Sequence, residues 1–300
     1  MRFCAAAQVL CRGLELVGFD QRRQQRVRPA KNLERFAAHF VAHPPALESL
    51  WLDLLDTIDF EPQLKHFDYY MISIHFLAKC PTELEMEAKF EKSDRTVRDW
   101  VWKFWLPKIQ SLKPMKIQWP IGWGVDENDP NAPQPTFIAT VDGVHCPINE
   151  PSHGEWSKNP ECCSHKFGSS GLDYEIAINI FQNKVVWING PFKAGKHTDI
   201  KVFRSGLKGM IPKGKLLVAD LGYRGEKLLI ATPNSHDTIE VREFKSRALA
   251  RHETFNGKIK LFKCLALRFR HGIKKHKVCF EAVAVIGVYV IENGAPLFYV

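Results

Sequence analysis

The chain has 300 residues, 45% of them hydrophobic, with 42 Lys and Arg against 33 Asp and Glu. This length and composition are those of an ordinary globular protein with about two domains. The formal net charge of +9 favours a polyanionic partner, and nucleic acid is the first candidate. No stretch reaches the roughly 18 uninterrupted apolar residues of a membrane span, so no membrane association is expected.

The cysteines and the first 19 residues carry no strong signal. The N-terminal stretch mixes apolar with polar side chains, which is typical of an amphipathic helix rather than of a signal or transit peptide. The eight cysteines lack a C-x-x-C pair, which predicts reduced thiols. Cys162, Cys163 and His165 leave a zinc-organised structural protein as an alternative, although adjacent cysteines cannot easily share one tetrahedral ion.

Residues 1–110 are predicted to form a helical region. Residues 21–31 contain five basic side chains and no acid, which fits either a solvated helix face or a segment for nuclear import or phosphate contact. Apolar residues recur at helical spacing over 47–60 and 67–77, and this spacing predicts two core helices.

A short helix followed by a capped second helix is predicted at the end of this region. Thr82 begins the first helix, and Ser93 or Asp94 caps the second. Over 82–109 this is the helix-turn-helix pattern, and a plain helical hairpin has the same pattern. In a helix-turn-helix, the outward-facing Arg98 and Lys103 of the second helix would contact DNA.

A proline-rich linker is predicted over 111–136. Six prolines between 107 and 136 interrupt any long helix there. The linker separates the helical region from a mixed α/β domain over 137–300.

Two apolar runs that each end in an aspartate organise the α/β domain. The first precedes Asp142, and Gly143 allows a tight exit from the strand. The second run ends in Asp220. Because Asp-Gly is also a common turn signal, Asp142 alone is weak evidence for a site. Two strands with the same ending, however, predict two neighbouring carboxylates.

The remaining elements complete a recognisable order. Two strands over 174–181 and 184–189 form a hairpin, and a helix follows that Thr198 or Asp199 caps. After the Asp220 strand come a long helix over 245–269, which contains Glu253, and a last helix over 280–291.

This order of elements is that of the ribonuclease H-like fold, in which the first and fourth strands are neighbours. The fold would bring Asp142, Asp220 and Glu253 together at the carboxyl edge of the sheet. Three carboxylates within about 5 Å repel one another by roughly 3 kcal/mol per pair at an effective dielectric near 20. The sequence therefore predicts two divalent ions, magnesium or manganese, held by these acids for phosphodiester chemistry.

The surroundings of Glu253 are basic. Residues 240–277 contain 12 Lys or Arg and three acids. Arg251, Lys258 and Lys260 are close to Glu253 in sequence, and Lys260 shares its helix face. These residues are predicted to contact DNA phosphates.

Four segments resemble the DDE transposases of the PIF/Harbinger superfamily, the DDE superfamily endonuclease domain. They are Val141 to His145, Gly190-Pro191 leading to His197-Thr198-Asp199, Ala219 to Tyr223, and Arg251 to Gly257 with Lys260. The interval of 33 residues from Asp220 to Glu253 is close to that of the family. Where the family often has His-Asp-Ser, this chain has His197-Thr198-Asp199.

The resemblance implies a nuclear, metal-dependent nuclease and strand transferase with Asp142, Asp220 and Glu253 as its acid triad. It also implies DNA as substrate, a homo-oligomer, an N-terminal helix-turn-helix and a Myb-like DNA-binding partner protein. His145 and Asp199 are expected in a supporting role around the triad, with helix capping as the alternative for Asp199. A domesticated or inactive transposase-derived DNA-binding protein is the competing interpretation.

Overall fold

The computed structural model describes residues 5–123, 136–150, 157 and 159–300. The chain forms two compact units. One comprises Met1–Pro114 and Ile259–Pro296, and the other comprises Met115–Lys258 and Leu297–Val300. Residues 124–135 of the predicted linker lie outside the described residues.

The first unit is helical. Its N-terminal helices are α1 (Ala6–Leu16), α2 (Gln21–Gln25), α3 (Pro29–Phe40), α4 (Pro44–Leu55), α5 (Leu64–Lys79) and α6 (Glu83–Phe90). A longer helical segment follows, in which α7 (Asp94–Val97), a π-helix (Arg98–Trp105) and α8 (Leu106–Ser111) are consecutive; α9 is Lys113–Lys116. Trp51 of α4 lies at the centre of the core, with ring centroids 5.2 Å from Phe67 and 5.3 Å from Trp105.

The helix pair over 82–109 is present with its expected caps. Thr82 and Glu85 form a reciprocal capping box at the start of α6. Ser93 caps the second helix through the N–H of Thr96, and three residues separate the two helices. The prediction of both helices and of the Ser93 cap is confirmed.

The helical unit also contains Ile259–Pro296, which differs from the expected division at residue 137. Helices α12 (Lys263–Ala266) and α13 (Ile273–Glu292) belong to this unit. Helix α13 is buried along most of its length and packs on α4 and α8. Its Glu281 accepts hydrogen bonds from Gln110 at 2.6 Å and Lys113 at 2.7 Å. An apolar helix of this kind needs other helices to cover it, and the N-terminal helices of this unit do so.

The second unit is a mixed α/β structure. Its described strands are β1 (Phe137–Pro147), β2 (Cys163–Ser164), β3 (Ser169–Asn179), β4 (Val185–Lys193), β5 (Leu216–Val218) and β6 (Ile230–Ala231). The strand order is β2-β3-β1-β5-β6, and β4 also pairs with β3. Strands β3 and β4 run antiparallel to their neighbours, whereas β1, β5 and β6 are parallel to one another. The expected adjacency of the Asp142 and Asp220 strands is confirmed.

Asp142 is not at the end of its strand, which corrects the sequence interpretation. Strand β1 continues to Pro147 because β3 pairs with it as far as Pro147 opposite Gly171. Gly143 is therefore a paired strand residue opposite Glu175 rather than a tight exit. Only the pairing of β1 with β5 stops early, at Thr140 opposite Val218.

Helices cover both faces of the sheet. Helix α10 (Asp199–Ser205) contributes Val202 and Phe203 to the interior, and Phe203 belongs to a core cluster with Val141. Helix α11 (Ile239–Lys260) lies on the other face. It is shorter than the predicted helix over 245–269, because the chain turns after Lys260. Among the described helices, none has the length and apolar character needed to cross a membrane.

Candidate active site

Asp142 and Asp220 occupy equivalent positions on two neighbouring parallel strands. Thr140 of β1 pairs with Val218 of β5, and each aspartate follows two residues later. Beyond this pair β5 leaves the sheet, and Asp220 accepts a hydrogen bond from the N–H of Gly222 at 2.9 Å. Both aspartates therefore lie just beyond the last paired positions of β1 and β5, although β1 itself continues along β3.

Helix α11 is fixed on β1 by two side-chain hydrogen bonds. The ring Nδ1 of His252 lies 2.7 Å from Oγ1 of Thr140, and Nδ2 of Asn256 donates to Oδ2 of Asp142 at 2.9 Å. Thr140 and Asp142 share one face of the strand, just as residues four apart share one face of a helix. The two contacts therefore set both the rotation and the height of α11 relative to Asp142.

The carboxyl group of Asp142 is in an environment that disfavours its charge. Burial raises its pKa to about 7, although the N–H of Gly143, donating to Oδ1 at 2.8 Å, opposes this increase. The negative charges of Glu253, Asp220 and Asp199 raise the pKa further. The expected triad is thus electrostatically coupled, and Asp199 belongs to the same group.

Asp199 lies within the carboxylate group and does not cap its helix. Thr198 is the N-cap residue, and Asp199 is the first residue of α10. A Cβ atom at Gly143 would lie 2.9 Å from Oδ1 of Asp199, and one at Gly222 would lie 2.5 Å from Oδ2. The glycine that follows Asp142 and the glycine close after Asp220 thus leave the space that the Asp199 carboxylate fills. Burial and the charge of Asp220 raise the pKa of Asp199.

A cleft of about 470 Å³ opens beside these acids. Asp142, Asp199 and Asp220 line it, together with His145. His145 is held by Asp173 on the adjacent strand, with 2.8 Å between Nδ1 and Oδ1. His145 thus lines the same cleft as the aspartates, and its supporting role remains a prediction.

Glu253 differs from the other acids in its exposure. It lies on α11 with its side chain exposed to solvent, and its negative charge contributes to the raised pKa of Asp142. Within the described ranges, no three His, Cys, Asp or Glu side chains are arranged so as to hold a metal ion. The donor set nevertheless suits a hard cation, because it consists of carboxylate oxygens. Burial is the main cause of the raised pKa of Asp142, and the negative charges of the neighbouring acids add to it.

The predicted DNA-contacting residues have different environments. Arg251 is 3% exposed and donates to the backbone oxygens of Asn179, Gln182 and Phe298. The prediction that Arg251 contacts DNA is therefore wrong, because its guanidinium is occupied in holding the core.

The other basic candidates remain accessible to different degrees. Lys258 is partly buried near the end of α11. Lys260 belongs to the helical unit and donates to the backbone oxygen of Leu265 at 3.3 Å. Arg98 and Lys103 pair with acids of their own helical segment, Asp94 and Asp99. Such exposed pairs are weak and can exchange for phosphate contacts.

The cysteine segment gives no support to a zinc site. Cys162 is buried and Cys163 is exposed, so adjacent residues face different environments. Cys162 ends the 3₁₀ turn Pro160–Cys162, whereas Cys163 is the first residue of β2.

Three important side chains were not predicted from the sequence. Asn256 contacts Asp142, His252 contacts Thr140, and Glu175 is a buried carboxylate of β3 whose pKa burial raises to about 8. The spacing of His252 and Asn256, four residues apart on one helix face, was the available signal for the first two.

Comparison with models of protein families, with curated protein sequences and with solved structures found no match.

Proposed function

We propose that this chain is a metal-dependent DNA endonuclease and strand transferase of the DDE transposase type, built on a ribonuclease H-like fold. The observation that carries the proposal is that Asp142 and Asp220 follow paired positions of neighbouring parallel strands. Burial raises the pKa of Asp142, and the charge of Glu253 on the adjoining helix raises it further. A nuclear location, a homo-oligomer and a Myb-like partner belong to the same proposal.

The strand order supports the ribonuclease H-like fold. Strands β1, β3 and β4 are consecutively antiparallel, and the three-residue strand β5 lies beside β1 and parallel to it. Helix α10 precedes β5, and α11 follows β6. The helix pair at 83–111 supports a DNA-binding role for the helical unit, with Arg98 and Lys103 on the second helix.

Asp142, Asp220 and Glu253 would hold two magnesium or manganese ions. When bound, such ions supply an activated attacking oxygen and stabilise the charge on the phosphodiester and the leaving oxygen. Asn256 orients the Asp142 carboxylate by donating to one of its oxygens, and Gly143 donates to the other. The carboxylate of Asp199, beside Gly143 and Gly222, adds negative charge to this group of acids and strengthens its attraction for cations.

The test is nicking of supercoiled DNA by the full chain in magnesium. Asp142→Asn keeps the shape of the side chain and removes its charge, so we expect loss of nicking by at least about a hundredfold. Asp59→Asn, an exposed aspartate of the helical unit, is the matched control and should nick like the wild type. Equal nicking by the wild type and Asp142→Asn would remove the catalytic assignment.

DNA binding separates the two functional interpretations. If the wild type and Asp142→Asn both bind DNA and neither nicks it in magnesium or manganese, the result favours the interpretation as a transposase-derived DNA-binding protein.

A further inference from the structure

A short β-hairpin places an aromatic ring beside the candidate carboxylates. Strands β2 and β3 pair at Ser164 opposite Ser169, and the N–H of Gly168 donates to the oxygen of Ser164 at 2.8 Å. Gly168 has a positive φ of 60°, which favours glycine and closes the tip. The tip residues Lys166 and Phe167 line the same cleft as Asp142 and Asp220.

The ring of Phe167 is held in place and also exposed. It stacks on the ring of His145 with centroids 4.2 Å apart and planes 19° apart, while 52% of the residue stays accessible to solvent. His145 is in turn fixed by Asp173, and a Cβ at Gly171 would lie only 2.0 Å from the His145 ring. An exposed, oriented aromatic ring of this kind is a stacking surface for another flat ring.

The charges around the cleft indicate which kind of ligand would stack on Phe167. The floor carries the carboxylates of Asp142, Asp199 and Asp220, which repel a bare phosphate. Lys166, with its Nζ 5.4 Å from the centre of the Phe167 ring, provides positive charge at the tip. A neutral base on Phe167 with its phosphate near Lys166 satisfies both, whereas a paired base has its faces covered within the duplex.

We infer that the hairpin tip, Lys166 and Phe167, is a stacking site for one unpaired base of DNA next to the candidate acids. The inference rests on the proposed function in taking DNA as the ligand. The cleft volume of about 470 Å³ is within the roughly 300–1,000 Å³ of small-ligand pockets, which suits a single nucleotide rather than a duplex.

The experiment measures binding of the full chain to a fluorescent single-stranded oligonucleotide and to its duplex, by anisotropy in EDTA. Phe167→Leu keeps an apolar side chain but removes the aromatic face, so we expect about tenfold weaker single-strand binding and duplex binding within twofold of wild type. Phe167→Trp should bind like the wild type. Phe298→Leu alters another partly exposed phenylalanine of the same unit, outside the cleft, and should change neither affinity.

A series of oligonucleotides, each with one abasic position at a different place in the strand, measures the contribution of each single base to binding. We expect one position at which loss of the base weakens wild-type binding about tenfold and has no further effect in Phe167→Leu. Equal single-strand affinity of Phe167→Leu and wild type, or an equal abasic effect in both, would overturn the inference.

The outcome is separable from that of the proposed function, because binding in EDTA requires no catalysis. A wild type that nicks in an Asp142-dependent way, combined with Phe167→Leu binding normally, refutes only the stacking site. Phe167-dependent binding in a protein that never nicks supports the stacking site and refutes the nuclease.

Discussion

Asn256 shows how one uncharged side chain supports a carboxylate group. It is 8% exposed, and its amide donates to Asp142, whose pKa is already raised by burial and by three neighbouring acids. An amide at this position stabilises the ionised form of Asp142, whereas a further carboxylate would oppose it.

We expect Asn256→Ala to lower the magnesium-dependent nicking rate by about tenfold, since a hydrogen bond to a charged group contributes about 1.5–3 kcal/mol. Asn256→Asp should lower the rate further, because it adds negative charge beside Asp142. Initial rates on supercoiled DNA measure both. Asn234→Ala, an exposed asparagine of the same unit, is the control. A fully active, normally folded Asn256→Ala would contradict the orienting role.

Glu175 is a second buried acid with a measurable effect on stability. It is 1% exposed, burial raises its pKa to about 8, and the indole N–H of Trp187 donates to its Oε2 at 3.0 Å. Because the folded pKa exceeds the unfolded value near 4.5, the unfolded state loses its proton first as the pH rises. Stability is therefore full below about pH 4.5 and declines up to about pH 8.

We expect Glu175→Gln to be more stable than the wild type at pH 8.5, by roughly 3–5 kcal/mol, and similar near pH 4.5. Urea unfolding at the two pH values measures the difference. Glu226→Gln is a control of opposite sign, because Arg204 and Lys208 lower the pKa of Glu226. A Glu175→Gln variant with the pH dependence of the wild type would contradict the assignment.

At the scale of elements, the contact between α11 and β1 controls the site. Two strand residues and two helix residues, each pair on one face, join the elements beside Asp142. His252 is 1% exposed, so the loss of its Thr140 partner would leave a buried polar atom unsatisfied.

Thr140→Val is nearly isosteric and removes that partner. We expect a decrease of about 1–3 kcal/mol in the free energy of unfolding and a lower nicking rate, because α11 would no longer be held at a fixed height. Thr140→Ser retains the hydroxyl and should lose less of both. Denaturant unfolding and nicking assays distinguish the two variants, and equal behaviour of Val and Ser would exclude the hydrogen bond as the cause.

The sequence predicted elements better than their ends and contacts. The capping residues Thr82 and Ser93 act on backbone groups three residues away, so they are visible in the local sequence, and both helices are present as expected. The extent of β1 depends on its pairing with β3, which lies outside the range of any local signal, so Asp142 was placed at a strand end. Arg251 illustrates the same limit, since a basic residue in a basic run gave no sign of the backbone oxygens that bury it.

For the whole molecule, buried histidines are the main source of acid sensitivity. Burial is the largest cause of the lowered pKa values of five histidines. The pKa is about 3 for His75, His252 and His276, and about 4 for His39 and His271. Below the unfolded value near 6.5 the unfolded state takes up protons that the folded state does not. Stability is therefore full above pH 6.5 and declines as the pH falls toward the folded values.

We expect each fully buried histidine to lower the free energy of unfolding by about 2 kcal/mol between pH 7 and pH 5, whereas the raised pKa of Glu175 acts in the opposite direction over this range. His75→Gln removes one of these groups, so its decrease over the same range should be smaller by about that amount. His236→Gln, at an exposed position, should leave the decrease unchanged. Urea titrations at both pH values measure these changes, and a His75→Gln variant with the same pH dependence as the wild type would refute the expectation.

The membership of α13 in the helical unit has a consequence for biosynthesis. During translation, the helices before Pro114 leave the ribosome before the strands of the sheet, whereas α13, which packs on α4 and α8, follows those strands. The apolar faces of those helices therefore stay uncovered while the sheet strands are synthesised. A fragment cut at the proline-rich segment would have the same uncovered surface, so a soluble helical unit should be obtained by joining residues 1–114 to 259–296 rather than by truncation.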